Sequence, residues 1–495
     1  MKKFLIVFTI TGLWAFSMFQ LYTKNVKSGN RVNFMYKEFI PPDLVLRDEW
    51  FGIYFNNNKI GYANFTFGLD EVDARQGYKM DTEAFLLFPI LGTTQRVWLK
   101  INSKIDPEYR LRSFSLSFFS GVQHIEISGI RKDGNRFAVT LRQNGHESKT
   151  EITVPEGTVL DNFFGPPKEL HNPHPGMKIK FLTFNPLTLQ SQEVQLSVLS
   201  QEEIKINSRE LSSYLVVTKF SGLESKAWID DKGRLLKEET PLGITLIRES
   251  QDKALEFISA PKKENIDLAQ FFSIPSNVRL DPEKINKLYV KLSVSDIDIA
   301  TLNNNRQQVL KMENISGIKK IYIVITKTPS FTEKGPISEY LKSNNFIQAD
   351  DPQIKSIANY LTKNLNNDDK KVKVLLKWVY NYLEKKPTLS IPSALTAFNS
   401  RQGDCNEHTF LFAALARSIN IPTKVKNGLV YTNNRFYYHS WPTVYINRQW
   451  IDVDPTLNQF PADATHIFLI EGELPQQMDI IKLVGKIQLE VIKYE

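Results

Sequence analysis

The stretch RQGDCNEHTFLFAALARSINIP, from Arg401 to Pro422, contains the only cysteine of the 495-residue chain. A single cysteine cannot form an intramolecular disulfide, so Cys405 is either an inert core residue or a reactive group. Asp404 is placed to cap a helix that begins at Cys405, and Glu407 completes a capping-box pattern. Because unsatisfied N–H groups and the helix dipole favour negative charge at this position, the sequence predicts a lowered thiol pKa.

Two later segments supply the partners that a nucleophilic thiol needs. His439 lies in the strand-like segment FYYHSWPTVYI, and Asp454 lies at the end of the next such segment, QWIDVDPT. Adjacent antiparallel strands can place two such residues as cross-strand neighbours. Pro455 favours an extended conformation at Asp454 and ends the strand there. The geometry that a Cys–His–Asp triad needs is therefore available to Cys405, His439 and Asp454, in that order.

Three motifs carry a family resemblance: GDCNEHTFLFAALARSINIPTKV, HSWPTVYI and WIDVDPT. Together they resemble the transglutaminase-like superfamily, which has a papain-like cysteine-protease fold, in its bacterial membrane or envelope form. The resemblance covers about Asp351 to Thr456. It implies that Cys405 is the nucleophile, that His439 is the base and that Asp454 orients the histidine.

The resemblance also implies a reaction. The expected chemistry is acyl transfer from peptide or protein amide bonds through a thioester intermediate. Water would complete it in a peptidase or amidase, and an amine would complete it in a cross-linking enzyme. The sequence does not select between the two, and no cofactor is expected. The competing hypothesis is a non-catalytic protein that binds peptides or assists envelope assembly.

Other residues near the thiol have simpler interpretations. His408 shares the helix of Cys405, where no second strand can orient it, so a capping or packing role is expected. Asp452 lies on the same strand face as Asp454 but does not match the family's aspartate. Cys405, His408, His439 and Asp454 have the ligand types of a metal site. Without a second Cys pair or His-x-His spacing, we expect no metal.

The N-terminus predicts passage into or across a membrane. Lys2 and Lys3 precede an uncharged apolar run from Phe4 to Tyr22. As a helix, that run would measure roughly 28 Å, about the thickness of a bilayer's hydrocarbon core. The sequence favours a single-pass anchor at residues 1–22 with the bulk of the chain in the periplasm or outside the cell. A cleaved signal peptide, which would release a secreted or periplasmic protein, and a buried globular helix are the alternatives.

Composition and pattern predict a multidomain chain. Residues 40–258 read as a β-rich antiparallel region, with a division near 165–178 into two subdomains as one alternative. Residues 259–349 read as a connecting β or mixed region, and 350–495 as an α+β transglutaminase-like domain. The net charge of +8, from 62 Lys and Arg against 54 Asp and Glu, is modest. With no basic run among stacking aromatics, nucleic acid is not an expected partner.

Overall fold

The protein is described here by a computed structural model. It covers residues 36, 46–121, 123–143, 146–161, 170, 172–220, 223–259, 267–295, 297, 300–331, 337–387, 392–473, 476–477, 480 and 482–495. The apolar run that predicts a membrane anchor lies outside these residues. None of the helices within them has both the length and the apolar character needed to cross a bilayer.

The N-terminal part of the described chain is one large sheet. In spatial order its strands run from β8 back to β1, then from β15 back to β9, and all pairs are antiparallel except β9 with β10. The strands are β1 (Leu46–Phe55), β2 (Asn58–Val72), β3 (Arg75–Ile90), β4 (Thr93–Ile105), β5 (Leu111–Ser120), β6 (Gln123–Arg131), β7 (Arg136–Gln143), β8 (His146–Thr153), β9 (Val159–Leu160), β10 (Lys178–Asn185), β11 (Gln190–Ile206), β12 (Arg209–Phe220), β13 (Leu223–Ile229), β14 (Leu235–Glu239) and β15 (Ile244–Glu249).

Short turns make this sheet a succession of hairpins. Asn56 and Asn57, between β1 and β2, have φ angles of 47° and 63°. Two positive φ angles in a two-residue loop are what a tight hairpin requires, and asparagine tolerates them. In the turn between β13 and β14, glycine is required at position 233 because a Cβ atom there would lie 1.7 Å from the carbonyl oxygen of Leu170.

The sheet curls so that its two halves share one core. β1 pairs with β15, and Trp50 faces Glu249 in the register. The rings of Phe114 on β5 and Phe184 on β10 lie 5.2 Å apart, although these strands are far apart in the strand order. The strands on either side of 165–178, where the sequence suggested a division, therefore belong to one sheet and bury one apolar cluster.

The rest of the chain contains two further sheets and most of the helices. One sheet has the order β18-β19-β17-β26, the other has β16-β23-β22-β25 with β24 on β23, and β20 pairs with β21. The strands are β16 (Ile274–Pro275), β17 (Lys287–Val294), β18 (Gln307–Ile315), β19 (Ile318–Thr326), β20 (Glu384–Lys385), β21 (Gln402–Gly403), β22 (Thr423–Thr432), β23 (Arg435–Ile446), β24 (Gln449–Asp452), β25 (Ile467–Glu471) and β26 (Gln488–Tyr494). The helices are α1 (Gln251–Ser259), α2 (Leu268–Phe272), α3 (Pro352–Thr362), α4 (Asp368–Tyr382), α5 (Ala394–Ser400) and α6 (Cys405–Ser418), with short 3-10 turns at Pro282–Lys284, Ala300–Leu302 and Ser338–Leu341.

The connecting region and the C-terminal part are interleaved. β17 pairs with β26, the last strand of the chain, and places Leu292 opposite Leu489. Three consecutive polar residues, Asn305, Arg306 and Gln307, are buried at this junction. The arrangement confirms the predicted fold class, a β-rich N-terminal region followed by a C-terminal domain with the helices and antiparallel strands of an α+β fold. The boundary near residue 350 stays a prediction.

Candidate active site

Helix α6 begins at Cys405, as the sequence predicts. Asp404 caps it through its side chain, and the Glu407 side chain accepts a hydrogen bond from the Asp404 backbone at 2.9 Å. Glycine at position 403 leaves room for the Glu407 side chain, because a Cβ atom there would lie 2.3 Å from the Cβ atom of Glu407. After its first turn the helix is almost entirely buried. The thiol therefore lies at the rigid start of a core helix.

The surroundings of the thiol differ from the expectation in one respect. Cys405 is partly exposed, but burial of its sulfur raises the thiol pKa well above its ordinary value, and the neighbouring Asp404 raises it further. A backbone hydrogen bond with Ser440 acts in the opposite direction. The predicted lowering of the pKa by the helix terminus alone is therefore wrong, because desolvation outweighs it. A thiolate here requires a positive partner close by.

His439 is held in place from two sides. It lies on β23 opposite Gly428 of β22, and its Nε2 atom donates to Oδ2 of Asp454 at 2.7 Å. The next peptide is fixed to α6, since Thr409 Oγ1 donates to the Ser440 carbonyl at 3.0 Å. With Nε2 engaged, Nδ1 is the ring nitrogen left for proton exchange with the thiol. The structure thus brings the three predicted residues into one site.

Asp454 is completely buried and accepts four hydrogen bonds. Oδ2 accepts hydrogen bonds from Nε2 of His439 and, at 3.0 Å, from Nε2 of His466. Oδ1 accepts hydrogen bonds from the backbone N–H groups of Thr456 and Leu457, at 2.7 and 3.0 Å. Burial by itself would raise its pKa, but the two histidines hold the pKa far below the ordinary value. Asp454 is therefore a carboxylate that is fixed in position and orients His439.

His466 is a second histidine of the site and was not predicted. Its Nε2 atom faces Asp454, and its Nδ1 atom lies 3.2 Å from Oδ1 of Asp463. Burial opposes charge on this ring, yet the two carboxylates raise its pKa to about 9. Both nitrogens therefore carry protons at neutral pH. The ring of Trp441 packs edge to face on His466, with centroids 5.1 Å apart, and lies nearly parallel to that of His439.

Asp452 lies away from His439 and organises a separate buried network. Its carboxylate accepts hydrogen bonds from Arg306 Nη1 at 3.0 Å, Lys426 Nζ at 2.9 Å, Trp441 Nε1 at 3.1 Å and Thr443 Oγ1 at 2.6 Å. Burial acts to raise the pKa of Asp452, but the two cations hold it well below its ordinary value. The geometry therefore pairs the histidine with Asp454 and gives Asp452 a structural role.

Two polar residues lie immediately beside the nucleophile on α6. His408 is buried, and its Nδ1 atom lies 2.7 Å from the Asp404 carbonyl, as a packing role requires. Burial lowers its pKa, so the ring is neutral. Asn406 accepts a hydrogen bond at 3.1 Å from Nε2 of Gln477, which also donates to Asn427 at 2.9 Å. Gln477 thereby links the first turn of α6 to strand β22.

Ligand atoms of His439, Asp454 and His466 lie within 4.8 Å of one another, as in some metal sites. Their closeness has a simpler explanation, because both imidazoles donate to the same carboxylate. A metal would have to replace both hydrogen bonds and compete with the proton on His466. The arrangement fits an imidazole–carboxylate network better than a ligand set.

Sequence patterns gave little warning of the supporting residues. His466 lies in the segment DATHIFLI, twelve positions after Asp454, with no spacing that singles it out. Arg306 is 146 residues from Asp452, its partner. Arg306 also donates through Nη2 to the carbonyl oxygens of Ala462 and Asp463, at 2.9 and 2.8 Å. It therefore holds the loop that leads to His466. The uninterrupted polar run from Asn303 to Gln308 is the one local signal in this part of the sequence, and it does not specify a partner for Arg306.

Comparison with known proteins identifies the C-terminal part. Residues 355–455 match the sequence profile of the Transglutaminase-like superfamily, so the chain contains a transglutaminase-like domain. No curated protein shows significant similarity to the chain.

Solved structures are similar only over part of the chain. A "Putative Cysteine Protease" from Cytophaga hutchinsonii shares 19% identity at a TM-score of 0.30, and the match covers 42% of this chain and 86% of that one. The periplasmic domain of TgpA from Pseudomonas aeruginosa shares 15% identity at a TM-score of 0.26, covering 38% of this chain and 87% of that one.

Proposed function

We propose that the transglutaminase-like domain transfers acyl groups from peptide or protein amide bonds through a thioester on Cys405. The supporting observation is the position of His439. Its ring is fixed at 2.7 Å from the buried Asp454 carboxylate, and the following residue, Ser440, forms a backbone hydrogen bond with the thiol. A thiol, an imidazole and a carboxylate in this order are what covalent acyl transfer requires.

The proposed reaction has two halves. His439 takes the thiol proton as the sulfur attacks the amide carbonyl, and the resulting imidazolium compensates the charge that burial disfavours. The C–N bond then breaks, and His439 returns the proton to the leaving amine. In the second half, water or another amine attacks the thioester while His439 takes its proton. The C–S bond then breaks, and His439 returns the proton to the sulfur, which restores the thiol of Cys405. Asp404 accepts the backbone N–H groups of Asn406 and Glu407 through its side chain and that of His408 through its carbonyl oxygen. In the proposed reaction, the backbone N–H of Cys405 is therefore the first-turn group that stabilises the oxyanion.

A substrate-independent measurement tests this proposal. The rate of Cys405 alkylation by iodoacetamide is followed from about pH 5 to 9, where an imidazolium-paired thiolate reacts at acidic pH and an ordinary thiol does not. Because Cys405 is the only cysteine, no other thiol contributes. Wild type should react at about pH 6 at least tenfold faster than His439→Ala, whose isolated thiol keeps a raised pKa. Cys405→Ala is the blank.

The alkylation rates distinguish an acyl-transfer enzyme from a non-catalytic binding or assembly protein, the two hypotheses that the sequence suggests. Equal, slow alkylation of wild type and His439→Ala would overturn the enzymatic proposal and favour a peptide-binding or assembly protein. If the pair is reactive, mass spectrometry of acyl groups trapped on Cys405 after exposure to an extract of the source cells identifies the acyl donor. Appearance of the free acid or of the amine-linked product then distinguishes hydrolysis from cross-linking.

We further propose that the chain faces the periplasm or the cell exterior and is anchored by residues 1–22. This rests on the apolar run from Phe4 to Tyr22 behind two lysines. The intact protein should fractionate with membranes and resist a carbonate wash. Recovery of a soluble protein with its N-terminus near Met18 would instead show that the segment is a cleaved signal.

A further inference from the structure

The curled N-terminal sheet lines a cavity of about 670 Å³ that is partly open to solvent. This is within the range of small-molecule sites, roughly 300–1,000 Å³. Most of its wall is apolar and comes from strands that are distant in the sequence. Among the lining side chains are Phe55, Ile60, Leu86, Phe88, Leu116 and Phe118. The C-terminal part of the chain contributes Gln476 and Lys482 to the same wall.

Such a cavity is unfavourable without an occupant. Apolar surface in contact with water costs about 25 cal/mol per Å², and most of the surface that lines this cavity is apolar. Water is a poor filler, because each buried water needs several polar partners. The aromatic and aliphatic wall of β1 to β5 offers few. The chemistry of the wall therefore calls for an apolar ligand.

One side of the cavity is polar. Asn185, Thr188, Gln190 and Gln192, which lie at and after the turn between β10 and β11, line it within eight positions of the sequence. Asn185 is fixed by a 3.3 Å hydrogen bond to Asp161, which also lines the cavity. A ligand that fits both parts of the wall is amphipathic, with an apolar chain and a polar end near this turn.

The strands that supply most of the cavity wall offer no unpaired backbone edge to a peptide. Strands β1 to β5 and β11 to β15, which supply the lining, each lie between two paired neighbours. Peptides that bind to sheets use unpaired edge N–H and C=O groups, and a buried peptide without such partners leaves its own polar groups unsatisfied. A hydrocarbon chain has no such groups. The wall therefore favours an acyl chain over an apolar peptide segment.

We propose that this cavity binds a single acyl chain of a lipid amphiphile, with the chain against the aromatic wall and the polar end near the turn at Asn185. The site is distinct from the Cys405 centre. Its existence does not depend on acyl transfer there.

Binding of cis-parinaric acid, a polyene fatty acid that becomes fluorescent in an apolar site, tests the proposal on the full-length protein. Saturable binding of one probe per chain is expected, with displacement by an acyl competitor. Palmitate and a lysophospholipid, used below their micellar concentrations, show whether the chain belongs to a free fatty acid or to a phospholipid. An apolar nonapeptide should not displace the probe.

Two neighbouring residues of β5 provide a matched pair of variants. Phe118 is buried and lines the cavity, whereas Phe119 is exposed on the opposite face of the strand. Phe118→Glu should weaken probe binding by at least about tenfold, because it places a carboxylate against the apolar chain. Phe119→Glu should leave binding within about twofold of wild type, because exposed substitutions disturb little.

If Phe118→Glu does not fold, Leu187→Glu provides a second test. Leu187 lies in the turn between β10 and β11, and turns generally tolerate substitution better than the strands they connect. Leu187 also lines the cavity. Circular dichroism establishes that each variant is folded before binding is measured. Absence of saturable binding to wild type, or equal binding by folded Phe118→Glu or Leu187→Glu and by Phe119→Glu, would overturn the proposal. Displacement by the nonapeptide and not by either lipid would overturn it in favour of a peptide site.

Discussion

Nε2 of His466 lies 3.0 Å from Oδ2 of Asp454, the oxygen that also accepts a hydrogen bond from His439. One carboxylate thus serves two imidazoles, and the second imidazole is itself held by Asp463. Since both nitrogens of His466 face carboxylates, its ring carries a positive charge at neutral pH. Asp454 is consequently fixed by a partner that takes no part in the proposed chemistry.

His466 should make the stability of the folded chain depend on pH. The ordinary histidine pKa of 6.5 is raised to about 9 in the fold. The folded state therefore binds the proton more tightly, and this contribution is complete below about pH 6.5 and is lost as pH rises through about 9. Its size is on the order of 3 kcal/mol. Urea unfolding at several pH values measures it.

The matched variants are His466→Gln and His174→Gln, because His174 is an exposed loop residue. His466→Gln should be less stable at neutral pH and should lose most of the decline between neutral and alkaline pH. His174→Gln should follow wild type. A His466→Gln curve parallel to that of wild type would show that the ring is not charged in the folded protein.

The two aspartates of the DVDPT segment should differ in what they support. Asp454→Asn removes the charge that orients His439 and should shift the alkylation profile of Cys405 toward that of His439→Ala. In triads such a change costs on the order of 10⁴ in turnover. Asp452→Asn leaves Arg306 and Lys426 buried without their anion, so its cost is in stability, about 3–5 kcal/mol.

Alkylation profiles and urea unfolding of both variants separate these effects. The assignment fails if folded Asp452→Asn alters the alkylation profile while Asp454→Asn retains that of wild type.

Arg306 should be needed for the stability of the site although it lies outside the transglutaminase-like domain. Its guanidinium pairs with Asp452 and donates to two carbonyls of the loop before His466. Arg306→Met should lower the free energy of unfolding by about 3–5 kcal/mol, because it breaks a buried pair. The exposed Arg279 gives the control variant, Arg279→Met. Equal urea midpoints for the two variants would contradict this role.

The same contacts predict where the chain can be divided. A fragment from residue 274 to 495 keeps β17 with β26 and retains Arg306, so it should unfold cooperatively by itself. A fragment that starts near residue 339 loses both and should be insoluble or only partly folded. Calorimetry and size-exclusion chromatography of the two fragments test this. A soluble 339–495 fragment with a cooperative transition would show that the interleaved region is dispensable.

Local patterns revealed much of this molecule, and contacts between distant segments revealed the rest. The capping box at Asp404 and the hairpin at Asn56 are encoded within a few residues, and the motifs around Cys405, His439 and Asp454 were visible as such. Pairing of Arg306 with Asp452, or of Trp50 with Glu249, depends on how strands far apart in the chain meet. No local pattern specifies such meetings.

The raised thiol pKa was missed for a related physical reason. The helix terminus is a local feature and was predicted correctly, but desolvation depends on everything that packs around the sulfur. The same holds for His466, whose charge comes from two carboxylates that only the folded chain brings together. The sequence indicated which residues lie near the thiol, but it did not indicate how burial and neighbouring charges change their pKa values.

The adjacent residues Gln476 and Gln477 connect the cavity of the N-terminal sheet with the helix of the thiol. Gln476 lines the cavity of the N-terminal sheet, and Gln477 donates a hydrogen bond to Asn406, the residue after the nucleophile. We expect a ligand that displaces Gln476 to alter the contact between the adjacent Gln477 and Asn406. Thermodynamic reciprocity then requires that modification of the thiol alter the affinity for the ligand by the same factor. The affinity for cis-parinaric acid should accordingly differ between the free and the alkylated protein. Equal affinities would show that the two sites are independent.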